Sequence, residues 1–74
     1  YYSLKISKTM IEGLLNEIHR ASEALLTDGM LQSERGNKAA GVRARKASLE
    51  LERLSKAFRK ASLEVTKLEK YSQI

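Results

Sequence analysis

The 74-residue chain has no cysteine, no proline and no tryptophan, and only one histidine and one phenylalanine. Without cysteine there is no disulfide, no zinc-thiolate site and no thiol nucleophile, a composition that fits a reducing compartment. Without proline nothing interrupts a helical hydrogen-bond ladder. His19 has neither a second histidine nor a cysteine to share a metal with, so it reads as a surface imidazole and no metal site is predicted. Aromatics are too few to stack single-stranded bases: Phe58 falls on a packing row, and Tyr1, Tyr2 and Tyr71 lie at the ends. No apolar run approaches membrane-spanning length, no signal-peptide pattern opens the chain, and a bulky apolar face for lying on a membrane is missing. Membrane partners are therefore not expected.

Catalytic constellations are lacking as well. Glu12, Glu17 and Glu23 spread around a helix surface and form no carboxylate pair for acid–base work. Ser48, Ser55 and Ser62 have no base beside them, and their seven-residue spacing suits close helix approach better than nucleophilic chemistry. GNKAAG lacks the strand and the spacing of a phosphate-binding loop. Neither an enzyme, a cofactor nor a small-molecule substrate is predicted.

What remains is rich in Ala, Leu, Lys, Glu and Arg, all good helix formers, which predicts an all-α chain. Its length allows one domain, residues 1–74, stabilised by long packed helices or by association. From Ser3 to Leu26, Leu4, Ile11, Ile18 and Leu25 recur every seven residues, joined by Leu14, Leu15, Ala21 and Leu26. Such spacing places them on one helix face. Ser3 or Ser7 is a candidate cap. Thr27-Asp28-Gly29 reads as a break, because Asp-Gly favours a turn and Gly closes helices. A second break follows at Gly36-Asn37, with Asn37 as the next cap, so the turn is placed between about residues 27 and 37. Met10 and Met30 are read as packing residues.

The long second helix, 38–72, carries the main pattern. Ala44, Leu51, Phe58 and Val65 form one row, with Ala40, Ala47, Leu54, Ala61 and Leu68 beside it. KASLELERLSK from Lys46 returns fourteen residues later as KASLEVTKLEK, so each residue reappears on the same face. Pairs such as Glu52–Lys56, Lys60–Glu64 and Glu64–Lys67 are spaced to interact along the surface. The expected fold is an antiparallel helical hairpin (helix about 3–26, turn 27–37, long helix 38–72) that dimerises as a coiled coil or four-helix bundle. Leu51, Leu54, Phe58, Val65 and Leu68 form the packing and dimer seam. Leu49 and Leu63 lie on the opposite, outer row.

Charge divides the chain. Residues 1–36 hold four basic and five acidic side chains, a balance of −1, whereas residues 37–74 hold ten basic and four acidic, a balance of +6. Lys46, Arg53, Lys60 and Lys67 repeat every seven residues. Lys38, Arg45 and Arg59 occupy the adjoining row, Lys56 extends it, and Arg43 completes the dense Arg43–Lys46 cluster. Cations about 10 Å apart along a helix suit a phosphate backbone, where neutralising phosphates releases counterions. These nine residues are the predicted nucleic-acid contacts. No base-reading motif accompanies them, which favours sequence-independent binding. The competing reading is a structural subunit that docks through its seam on a larger protein or ribonucleoprotein assembly, with the charge serving solubility or RNA contact.

The run ERGNKAAGVRARKASLELERLSKAFRKASLE, residues 34–64, resembles the core of the chlamydial-type histone-like proteins. The resemblance rests on Arg35-Gly36-Asn37-Lys38-Ala39-Ala40, Arg43, Arg45, Ser48, Leu51-Glu52, Lys56, Phe58-Arg59-Lys60 and Ser62. It implies a DNA-binding protein that compacts the nucleoid in the bacterial cytoplasm, often through an added Lys/Ala/Pro-rich tail. The 74 residues include no such run, and the Leu26–Glu34 segment is longer than the family's usual turn. The residues present are therefore expected to act as a folded dimerising part with modest affinity for DNA, and RNA stays open as a partner.

Overall fold

The computed structural model describes the backbone of residues 2–72 and the side chains of residues 9–67. It contains two α-helices, α1 (Tyr2–Arg35) and α2 (Lys38–Ser72), packed antiparallel in a rod 57 × 14 × 13 Å. The all-α hairpin matches the expectation. The turn is shorter than the expected 27–37: the break at Gly36-Asn37 is there, and the one at Thr27-Asp28-Gly29 is not.

Helix α1 runs through Thr27-Asp28-Gly29 without a break and ends at Arg35. Asp-Gly favours a turn because an aspartate carboxylate competes for nearby backbone N–H groups and glycine reaches positive φ. Neither tendency acts here. The Asp28 carboxylate accepts from Arg43 on the other helix, and Gly29 stays out of the positive-φ region. Two further turns of α1 thus gain a neighbour, which offsets the roughly 1 kcal/mol that glycine costs inside a helix.

Gly36 is the residue that reverses the chain. Its φ of +62° is a left-handed conformation that only glycine adopts without strain. Its N–H donates to Gln32 O at 2.9 Å, which satisfies a terminal carbonyl of α1. Asn37 then caps α2 as predicted: its Oδ1 accepts the Ala40 N–H at 3.0 Å. Past the turn the helices come close at Gly41, which is buried under Gln32. A Cβ there would lie 2.6 Å from the Gln32 side-chain Cδ. The candidate caps Ser3 and Ser7 lie outside the residues whose side chains are described.

Ala40, Ala44, Leu54 and Val65 are the buried hydrophobic side chains among the described residues, and all four come from the predicted rows. Ala47, Leu51, Phe58 and Ala61 are half-buried beside them, facing half-buried Ile11, Leu14, Ile18, Ala21 and Leu25 of α1. Leu54, 1% exposed, is the centre of the seam. Burying such a leucine stabilises by about 1.5–3 kcal/mol. The seam closes one chain's hairpin; Leu68 falls outside the described side chains. Four residues assigned to packing are instead exposed: Leu15 and Leu26 leave the α1 stripe, and Met10 and Met30 face solvent. A helix in a two-helix hairpin is covered on one side only, so its flanks stay wet.

Candidate nucleic-acid interface

Because α1 covers the Ala40–Val65 face of α2, the opposite face of α2 is directed outward along its length. At 3.6 residues per turn, positions 42, 49, 56 and 63 form the row farthest from the seam. Lys38, Arg45 and Arg59 flank that row on one side, and Lys46, Arg53, Lys60 and Lys67 on the other. All nine predicted contact residues are exposed.

They are not equivalent. Arg43 donates from both Nε and Nη2 to one oxygen, Oδ1 of Asp28, each at 3.1 Å. Asp28 continues the Leu14–Ala21 row of the α1 seam at seven-residue spacing and is only 15% exposed, against 54% for Arg43. This bridge ties the helices together next to the turn and commits Arg43 to an internal partner. Arg53 is likewise engaged, forking onto both carboxylate oxygens of Glu50 one turn away. That contact holds the Glu50 carboxyl below its ordinary value, through the Arg53 hydrogen bond first and its charge second. The same pairing raises Arg53, with a smaller contribution from Glu17 across the helices.

The remaining seven cations, Lys38, Arg45, Lys46, Lys56, Arg59, Lys60 and Lys67, hold no ion pair among the described residues. The expected Glu52–Lys56, Lys60–Glu64 and Glu64–Lys67 pairs are therefore absent, and Glu50–Arg53 forms instead. Pairs on an exposed helix surface gain only a few tenths of a kcal/mol, too little to hold long side chains in place. His19 is on the surface of α1, as its isolation suggested, with Nε2 at 3.1 Å from Glu23 Oε1.

Two grooves run along one flank of the hairpin. One, of about 540 Å³, is lined by Met10, Gly13, Leu14, Glu17, Ala57, Lys60, Ala61 and Glu64. The other lies toward the turn between Glu17, Arg20, Ala21, Ala24, Lys46, Ala47 and Glu50. Small residues on both helices open them. Neither groove was expected from the sequence, although the recurrence of Ala at 47, 57 and 61 is their source.

No curated protein and no solved structure matches the chain. A family model described as histone H1-like protein Hc1 matches residues 12–68, which takes in both helices and the turn. With more than half of its length matched, the chain belongs to the histone H1-like Hc1 family, a family of DNA-binding structural proteins rather than enzymes.

Proposed function

We propose that the protein is a sequence-independent DNA-binding protein of the bacterial nucleoid, in the cytoplasm, that contacts the phosphate backbone through the outward face of α2. The observation that carries this reading is the set of seven unpaired cations on that face, opposite the helix that completes the fold. Lys38, Arg45, Lys46, Lys56, Arg59, Lys60 and Lys67 are the main contacts. Arg43 and Arg53 contribute less because carboxylates already neutralise them.

A homodimer belongs to the same proposal. Few side chains are fully buried, and the groove beside Leu14, Ala57 and Ala61 offers a flank on which a second hairpin would complete a four-helix bundle. Lys46 and Lys60 line the grooves on that flank, so pairing there would draw on them and leave Lys38, Arg45 and Arg59, on the far shoulder of α2, free.

Neutralising about six phosphates gives a log–log salt slope near −5. Titration of two unrelated duplexes over several salt concentrations tests this. The expected result is the same slope on both, with Arg45→Glu/Lys46→Glu weakening each equally. No binding at low salt, or a strong preference between the duplexes, would overturn the reading. Sedimentation equilibrium decides the dimer.

A further inference from the structure

The cations do not cover the outward face of α2 evenly; all but Lys56 border a row that is apolar apart from Lys56 itself, which lies within it. Val42, Leu49 and Leu63 share that row and are 44%, 67% and 62% exposed. In the segment from Lys38 to Leu49, Lys38 and Arg45 stand on one side of the row and Lys46 on the other. The first turn of α2 carries no acidic residue. Glu52, seven residues beyond Arg45 and on its row, puts a negative charge where the next phosphate contact would fall, and this bounds the segment.

A helix with cations on both shoulders and apolar side chains between them has the cross-section of a groove binder. The major groove of B-DNA is about 12 Å wide, the diameter of a helix with its side chains. Phosphates line both walls, and the floor exposes thymine methyl groups. Val42 and Leu49 are about 10.5 Å apart along the helix axis, the rise of about three base pairs. Helix α1 lies behind α2 and stays out of the groove.

Resting on the DNA-binding reading above, we propose that the Lys38–Leu49 segment enters the major groove of duplex DNA. Lys38, Arg45 and Lys46 meet the phosphate walls, and Val42 and Leu49 rest on thymine methyls. The phosphates supply most of the affinity; the apolar contacts add a mild bias toward A·T-rich duplex. The same geometry disfavours double-stranded RNA, whose major groove is too narrow for side chains to read.

The test compares one A·T-rich duplex with the same duplex carrying uracil for every thymine, which removes only the C5-methyl groups. Losing one methyl contact should weaken binding about four-fold. Leu49→Ala should shrink the difference by the share of one methyl contact, about four-fold, while keeping the salt slope, and Leu63→Ala, outside the segment, should retain it in full. Both leucines are exposed, so neither variant threatens the fold. Methyl green, a major-groove ligand, should compete with the protein, and the minor-groove ligand netropsin should not. Equal binding to the thymine and uracil duplexes, or competition by netropsin alone, overturns the groove assignment and leaves DNA binding intact. Absence of binding to either duplex at low salt overturns both.

Discussion

Replacing Asp28 with leucine separates the contribution of the interhelix bridge to stability from its effect on charge. Asp28 holds a seam position that its heptad neighbours Leu14 and Ala21 fill with apolar side chains, and it is 15% exposed. A leucine there buries most of its surface, for a gain of about 2 kcal/mol. Helix propensity adds roughly 0.5 kcal/mol, because aspartate is a poor helix-interior residue. Against this stands the lost bridge. Arg43 is 54% exposed and uses a single acceptor oxygen, so solvent screens the pair and its contribution is held to about 1 kcal/mol. Allowing a few tenths for imperfect packing, Asp28→Leu should stabilise by about 1 kcal/mol. For a chain of this size that raises Tm by about 4–8 °C at fixed protein concentration. The substitution also takes net charge from +5 to +6 and frees Arg43. The log–log salt slope for DNA should then steepen by about 0.9, one more phosphate. Circular dichroism melts and salt titrations of the same preparation supply both numbers. A loss of more than about 1 kcal/mol would show that the hairpin depends on the charged pair itself. An unchanged slope would show that Asp28 does not withhold Arg43 from DNA.

Four smaller predictions follow from single contacts. Asn37→Ala removes the side chain that accepts the Ala40 N–H and should cost about 1 kcal/mol in urea unfolding. Gly41→Ala looks forbidden, since its Cβ would fall 2.6 Å from Gln32; yet what it meets is the free end of an exposed, flexible side chain. The carboxamide should swing aside, and the variant should gain about 0.5–1 kcal/mol from helix propensity. Leu54→Ala opens the centre of the seam and should cost about 2–5 kcal/mol, enough to leave much of the chain unfolded by circular dichroism at 37 °C. Because Arg53 holds Glu50 below its ordinary 4.5, their pairing stabilises the fold above that pH and is lost as pH falls through the lowered value. Glu50→Gln should therefore show a flatter acid limb than the parent at low salt, with the difference gone at about 1 M salt, where screening is nearly complete.

The seam of α2 was legible because it obeys one rule over four heptads: residues three and four apart share a face, and Ala40, Ala44, Leu54 and Val65 all proved buried. The Asn37 cap was legible for a similar reason, since the whole interaction spans three residues. Asp28 was misread because its partner is fifteen residues away. A turn at 27–37 puts Asp28 in the loop and opposite nothing. A turn at Gly36-Asn37 puts it across from Arg43. The local preference of Asp-Gly for a turn and the tertiary preference for two more turns of packed α1 oppose each other, and only the second depends on the register of the hairpin. Leu15 and Leu26 failed likewise. A stripe read from one helix cannot show how narrow a strip a single neighbour covers.

That same register decides which cations remain for a ligand. Counting the basic side chains of α2 treats Arg43 and Arg45 alike, as members of one cluster. Two residues along a helix is a rotation of about 200°, so they leave α2 from different faces. Arg43 turns back along the flank to Asp28, whereas Arg45 faces outward with Lys38 and Arg59. The Arg43–Lys46 cluster is thus two devices: an inward cation that fixes the turn end of the hairpin, and outward cations that define a binding face. Reversing Arg43 should mainly loosen the hairpin near the turn, and reversing Arg45 should mainly weaken binding. A chain with one seam closed on itself and its free cations on the opposite side can lose either property while keeping the other.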